Sequence, residues 1–250
     1  MEIERRKFQG VLNILSFNRH FYIIGLIVLA MLLIGLVLLE TPVLWIWIVA
    51  AVFAYGLLMP LLVSAYVYDF SGYYNFEWLK TIGIIDSKPQ HLVNINAGFD
   101  ETSFILQEKF PESEIRVFDF YNPKRHTEAA IVRARKVSWV YPNTQQIDAS
   151  TIPLPDHSVD VLFLLSTAHE IRANEEKVEF LKECHRVCKP EGKVITVEHL
   201  RDAPNFLAFS VGFTHFFSRR TWRKVFQEAG FTSFDETKFT PFMSVFKCSP

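Results

Sequence analysis

Between residues 21 and 68 the chain carries a single charged side chain, Glu40, and this divides the molecule into two parts that need different solvents. The first apolar run, FYIIGLIVLAMLLIGLVLL (residues 21–39), is 19 residues without a charge. At about 1.5 Å per residue it matches a hydrocarbon core of roughly 30 Å, which predicts a membrane-spanning helix. Glu40-Thr41-Pro42 forms a short turn, and the second run, residues 43–68, is long enough to span with tilt and ends among tyrosines suited to the headgroup level. Pro60 is expected to kink or interrupt that second helix. A cleaved leader is the competing reading of the first run, but its apolar core is too long and no small-residue cleavage pattern precedes the second run. A buried hairpin inside a soluble domain fails as well, because neither run shows a polar face. Arg5, Arg6, Lys7 and Arg19 precede the first helix and the turn has no Lys or Arg, so both termini are expected to be cytoplasmic.

Half of the 250 residues are hydrophobic, largely because of this hairpin. The part after residue 68 is weakly acidic and has no basic block able to neutralise a run of phosphates, which argues against a nucleic-acid partner. Cys184, Cys188 and Cys248 are too few and too irregularly spaced for a disulfide framework or a four-ligand zinc site. They read as small buried thiols in a reducing compartment, and no metal is assigned.

After Lys88-Pro89 the pattern alternates. HLVNINA is a short apolar strand, ETSFILQEKF a helix-length segment and EIRVFDF a second strand. A helical stretch around HTEAAIVRARKV, a third strand near residues 145–148 and the nearly all-apolar VDVLFLLS follow, the last as expected of a parallel strand covered on both faces. EEKVEFLKECHRV reads as an amphipathic helix, Pro190-Glu191-Gly192 as a tight turn, KVITVEHL as a fifth strand and RRTWRKVFQEAG as a last helix. Such alternation predicts an α/β, doubly wound Rossmann-like sheet preceded by the two-helix hairpin. The expected organisation is a basic N-terminus (1–20), the hairpin (21–68), an interfacial linker or helix (69–89) and an α/β domain (90–250). The aromatic linker suits either the bilayer surface or packing on the first strand.

In a doubly wound sheet the ligand site lies at the carboxyl ends of the strands. Those ends are Asn94 to Asp100, Asp119, Asp148-Ala149, Ser166 to Glu170 and Glu198-His199. Together with IDASTIPLPDHSVDVLFL and ECHRVCKPEGKVITVEH, they resemble the class I S-adenosylmethionine-dependent methyltransferases, particularly the type 11 branch that includes quinone-biosynthesis enzymes, over residues 90–231. The resemblance implies S-adenosyl-L-methionine as cofactor, held by Asn94, Asn96, Ala97, Gly98, Asp100, Asp119, Asp148, Ala149 and Ser166. Within that set Asp119 would accept from the ribose hydroxyls and Asp148 from the adenine amino group. The first loop departs from the family: only Gly98 remains of its three glycines, with Asn96 as a residue tolerant of the left-handed region. Asp100 is placed to cap the following helix. A dinucleotide-dependent dehydrogenase would share the fold and Asp119, but needs the missing glycines more, because a pyrophosphate must sit on the helix N-terminus.

Methyl transfer to a hydroxyl or acidic carbon also needs a base. The acidic and imidazole pairs His169-Glu170 and Glu198-His199 end two strands, so His169, Glu170 and His199 are the candidate catalytic residues, with His169 or His199 as base and His215 more remote. The phenylalanine-rich stretch 201–222 would cover an apolar acceptor. The expected partners are thus a hydrophobic small molecule, lipid or quinone-like, and the bilayer. The eroded glycine loop keeps a second reading open, a catalytically inactive methyltransferase-fold domain acting as a membrane-tethered ligand-binding or interaction module.

Overall fold

A computed structural model describes residues 5–84, 88–126 and 128–250. The short amphipathic helix α1 (Gln9–Phe17) comes first, before two long apolar helices, α2 (Arg19–Leu38) and α3 (Val43–Ala65). The latter two pack on each other, and both are long and apolar enough to cross a membrane. No residue of α2 is buried, and in α3 only Val63 and Ser64, at its last turn, are. Of the kink or interruption expected at Pro60, the interruption is absent: the helix continues through it. It then widens into a π-helical turn, Tyr66–Phe70, a distortion often found at functional sites. Asp69 on that turn accepts hydrogen bonds from the backbone N–H groups of Gly10 (2.7 Å) and Val11 (2.9 Å), fixing the free N-terminal amides of α1 against the end of α3.

The remainder is one sheet. Its strands are β1 (His91–Asn96), β2 (Glu114–Asp119), β3 (Gln145–Gln146), β4 (Val159–Leu165), β5 (Cys188–His199), β6 (Ser233–Lys238) and β7 (Met243–Ser249). The order is β3-β2-β1-β4-β5-β7-β6, parallel except where β7 runs antiparallel to β5 and β6. Helices α4 (Trp78–Thr81), α5 (Ser103–Lys109), α6 (Ala129–Arg135), α7 (Asn174–Val187), α8 (Ala203–Phe209) and α9 (Arg219–Glu228) connect and cover it. This is the doubly wound α/β architecture the alternation predicts.

The continuous hydrophobicity of β4 follows from its place at the centre. Leu162 and Leu164 enter the core on one face, among Phe180, Leu181, Trp222 and Phe226. Val161 and Phe163 enter the core on the other. That second core is completed by Tyr73, Phe76, Trp78, Leu79, Ile82 and Ile84, so the aromatic linker packs on the sheet. Each such side chain contributes about 1.5–3 kcal/mol by leaving water. Pro190-Glu191-Gly192 is not a separate tight turn: β5 begins at Cys188 and runs through it, with a register shift against β4 between Val159 and Val161. Glycine is needed at 192 because a Cβ there would lie 2.7 Å from Cys188 Sγ and 2.9 Å from the Asp160 carbonyl.

Candidate active site

β1 and β4 are neighbours whose connections leave in opposite directions, so the crevice beyond their carboxyl ends is the switch point of the sheet. A cavity of about 950 Å³ opens there and extends along the apolar hairpin. At its sheet end it is lined by Asn94, Asn96, Ala97 and Ser166, then by His169, Glu170, His199 and His215. At its other end it is lined by Phe21 and Tyr22 of α2 and by Gly56, Leu57 and Pro60 of α3. Pro60 lacks the N–H that would bond the carbonyl of Gly56.

The loop after β1 is built from short polar side chains. Asn96 Oδ1 accepts the Gly98 N–H (3.0 Å), and Gly98 takes φ +91°, where a side chain would be strained. Asp100 Oδ1 accepts from the N–H groups of Thr102 (2.8 Å) and Ser103 (3.0 Å); Asp100 precedes the helix N-cap, Thr102, so it orders the loop into α5 rather than occupying the cap expected of it. The Asn94 amide donates to Thr102 Oγ1 and Ser103 Oγ. The buried Asn94 Oδ1 and Thr167 Oγ1 have no hydrogen-bond partner among the described residues, and both residues line the cavity. A buried polar atom without a partner is costly, and a polar ligand in the cavity would relieve it. Ser166, just past β4, adopts φ +52°, an uncommon conformation for a residue with a side chain.

The adenosine side is different. Gly98, Asp100, Asp119, Asp148 and Ala149 lie outside the cavity lining. Asp119 Oδ1 accepts from the Tyr121 N–H (2.8 Å), and Oδ2 accepts from Arg135 Nη1 (2.7 Å). The Arg135 guanidinium lies 4.4 Å from the centre of the Tyr121 ring and 2.9 Å from where a Cβ on Gly98 would sit. Arg135 therefore lies between Gly98 and Asp119, with its side chain 42% exposed. Asp148 is exposed and accepts from the Ser150 N–H and hydroxyl, which lower its carboxyl below the ordinary range. Ala149 packs at the edge of the core.

Three of the four candidate acid and imidazole residues, His169, Glu170 and Glu198, meet, and His199 lines the same cavity. His169 Nδ1 lies 2.7 Å from the buried Glu198 Oε2, and its Nε2 lies 3.3 Å from Glu170 Oε1. Burial alone would lower the His169 pKa, but Glu198 and Glu170 outweigh it and raise it to about 10. Burial likewise would raise Glu170, yet the hydrogen bond and charge of His169 lower it to about 2. Paired in this way, His169 favours its charged form in the absence of a metal ion and is the poorer of the two candidate bases. His199 is in the opposite state. Burial depresses it to about 4, although Asn205 and the Phe242 carbonyl favour the charged form. Because the Phe242 carbonyl at 3.0 Å can only accept, His199 Nδ1 carries the hydrogen. His199 Nε2 is then the acceptor for the Tyr68 hydroxyl, 2.9 Å away.

Several participants were not legible as site residues in the sequence. Tyr68 belongs to the π turn ending the hairpin, and Arg135 to the far end of α6. Glu101 faces the cavity and binds the N-terminal segment, accepting from Arg5, from Gln9 (2.6 Å) and from Asn13 (3.0 Å). Only the tyrosine cluster after residue 65 gave a signal, and it pointed to the bilayer surface. His215, remote in sequence, has its ring centre 5.2 Å from that of His169.

Residues 98–196 match the family model described as a methyltransferase domain. Demethylmenaquinone methyltransferase of Chlamydia muridarum is 27% identical over 129 residues, 52% of this chain and 53% of that protein. Its counterpart from Thermotoga maritima is 26% identical over 148 residues, 58% of this chain and 59% of that protein. The chain thus spans little more than half the length of these relatives. Among solved structures, a SAM-dependent methyltransferase from Aquifex aeolicus superposes with a TM-score of 0.52 over 71% of this chain and 92% of that one, at 16% identity, a likeness of fold.

Proposed function

We propose that this chain, whose soluble part is a class I S-adenosylmethionine-dependent methyltransferase domain, is a membrane-anchored enzyme that methylates a hydrophobic small molecule, lipid or quinone-like, reaching it from the bilayer. The observation that carries the reading is the single cavity joining the apolar helices α2 and α3 to the strand ends. An acceptor with a long apolar tail could keep the tail against Phe21, Leu57 and Pro60 while its head lies beside Tyr68 and His199. The relatives named demethylmenaquinone methyltransferases act, by their names, on a quinone, one of the proposed acceptor classes. The proposed topology places α2 and α3 across the membrane, with the basic N-terminal segment, the linker and the catalytic domain on the cytoplasmic side.

When bound, S-adenosylmethionine supplies an electrophilic methyl group on a sulfonium. The residues placed to hold its amino-acid end are Asn94, Asn96, Ala97 and Ser166, where the unpartnered Asn94 Oδ1 and Thr167 Oγ1 lie. Asp119 and Asp148 are assigned to the adenosine, Asp119 becoming available when Arg135 swings out. His199 accepts the acceptor's proton at Nε2, directly or through the Tyr68 hydroxyl, and the Phe242 carbonyl holds the ring in the tautomer this requires. His199 is stacked on Phe216 with ring centres 4.9 Å apart, and Phe209 packs edge-on, so the aromatic segment after β5 shields the base from water.

The test is transfer of a labelled methyl group by the full chain in lipid nanodiscs to a prenylated naphthoquinol and to its tail-less analogue. Preferential labelling of the prenylated compound supports the proposal; labelling of the tail-less compound alone rejects a bilayer route. A second reading, a tethered domain that has lost catalysis, draws on the Arg135 side chain lying on Asp119. It predicts no adenosyl binding even when Arg135 is removed.

A further inference from the structure

Beside the base lies a cluster for which methyl transfer has no direct use. His169 and Glu170 sit on the 3₁₀ turn Ala168–Glu170 after β4, and His215 ends the 3₁₀ segment Ser210–His215 after α8. One donor atom from each lies within 4.8 Å of the other two, and all three residues line the cavity. The His169 ring is oriented from behind: Glu198, 1% exposed, holds Nδ1 at 2.7 Å and the His169 backbone N–H at 3.2 Å, which turns Nε2 towards Glu170. Arg172 fastens the two histidine-bearing segments together, donating from Nη1 to the carbonyls of His169 (3.1 Å) and His215 (2.7 Å). Glu128 stands 3.8 Å from His215 Nδ1. Each imidazole thus has a carboxylate on its Nδ1 side.

We propose that His169, Glu170 and His215 bind one divalent transition-metal ion, Zn²⁺ or a first-row neighbour, with its remaining positions open to the cavity. Two imidazoles and one carboxylate suit such an ion better than Mg²⁺ or Ca²⁺, which prefer all-oxygen sets. Donors around a tetrahedral ion with bonds of about 2.05 Å are roughly 3.3 Å apart. His169 Nε2 and Glu170 Oε1 already stand 3.3 Å apart, so the wider separations, at most 4.8 Å, need to close by up to about 1.5 Å. Glu198 then has the part of the carboxylate that accepts from the far nitrogen of a metal-bound histidine and sets its tautomer. Three protein donors leave at least one position for an oxygen of whatever the cavity holds, so the ion would position an acceptor's oxygen. The site does not depend on the methyl-transfer reading, because neither cofactor nor turnover enters its formation.

The test uses the full chain in detergent micelles, stripped with a chelator and titrated with Co²⁺. One equivalent is expected to produce visible d–d bands, without thiolate charge-transfer absorption, and to be displaced by Zn²⁺. His215→Ala and Glu170→Gln should each weaken binding by about 100-fold or more, and Glu198→Gln by about 10–100-fold. Melting of the metal-free variants, compared with the metal-free parent, shows whether a loss comes from unfolding, and the conservative Glu198→Gln keeps the test informative if His215→Ala does not fold. Absence of bands in the folded parent, bands that persist in His215→Ala, or bands with thiolate character would each overturn the assignment. Absence of bands with retained methyl transfer would leave His169 as an imidazolium held between two carboxylates and the enzymatic reading intact.

Discussion

Gly56→Phe places a side chain in the hairpin half of the cavity. Gly56 lines that half, and nothing among the described residues lies within 4 Å of a Cβ built on it, so the new side chain enters open space without displacing described backbone. Phe is a better helix former than Gly, so α3 should be no less stable, by a few tenths of a kcal/mol in the variant's favour. A phenyl ring there displaces a stretch of acceptor tail equivalent to about three methylenes. At about 0.8 kcal/mol per methylene, the loss is about 2.4 kcal/mol, or roughly fifty-fold in kcat/KM. The assay compares a prenylated naphthoquinol with its tail-less analogue in nanodiscs and measures S-adenosylhomocysteine affinity alongside. The expected pattern is a large loss confined to the prenylated acceptor, with cofactor affinity within two-fold. Equal losses on both acceptors, or none on either, would refute the route along α3.

His199 sets the acid limit of the reaction. Its folded pKa of about 4 lies below the ordinary 6.5, so the unfolded chain takes the proton first as pH falls. Its neutral form therefore contributes stability fully above about pH 6.5, lost progressively down to about pH 4 and amounting to roughly 3 kcal/mol at most. The groups facing it are the Tyr68 hydroxyl, the cation on His169, which lowers its pKa, and Asp202, which raises it. A kcat/KM profile that stays flat to below pH 5.5 is expected, and an acid limb near 6.5 would exclude His199 as base. Arg135→Ala should tighten S-adenosylhomocysteine binding up to about five-fold, since the half-exposed pair with Asp119 is worth under about 1 kcal/mol, while Asp119→Ala should weaken it. Unchanged affinity in both variants removes Asp119 from the ribose. Glu101→Ala leaves Arg5, Gln9 and Asn13 without their acceptor and should cost about 3 kcal/mol, read as a lower melting temperature and faster proteolysis before α1. A reporter fused after Pro250 should score as cytoplasmic, and a signal from the opposite side would reverse the proposed topology.

The parts of the fold legible in the sequence are those whose pattern is local. β4 is apolar at successive positions because both its faces are covered, and β1, β2 and α7 have equally plain periodicity. β6 and β7 were not legible. β6 is an edge strand whose residues are all at least partly exposed, so SFDETK lacks a buried run, and Thr240-Pro241 reads as loop. The linker's aromatic residues were compatible with bilayer or core, and only the packing of Phe76, Trp78 and Leu79 separates these. In the site, Asn94, Asn96, Ser166, His169 and His199, which the strand-end rule singled out, line the cavity. That rule could not foresee partners brought in from afar, such as Tyr68 on His199 or Arg135 on Asp119, because no local spacing encodes a contact between distant segments. Nor could it rank the two histidines, whose pKa values move in opposite directions because carboxylates outweigh burial at His169 while burial dominates at His199.

The most direct measurement is calorimetry of the full chain in detergent micelles titrated with S-adenosylhomocysteine. One-site binding in the micromolar range is expected, weakened by Asp119→Ala and tightened by Arg135→Ala. No heat from a demonstrably folded sample, with Arg135 present or removed, would contradict the enzymatic account.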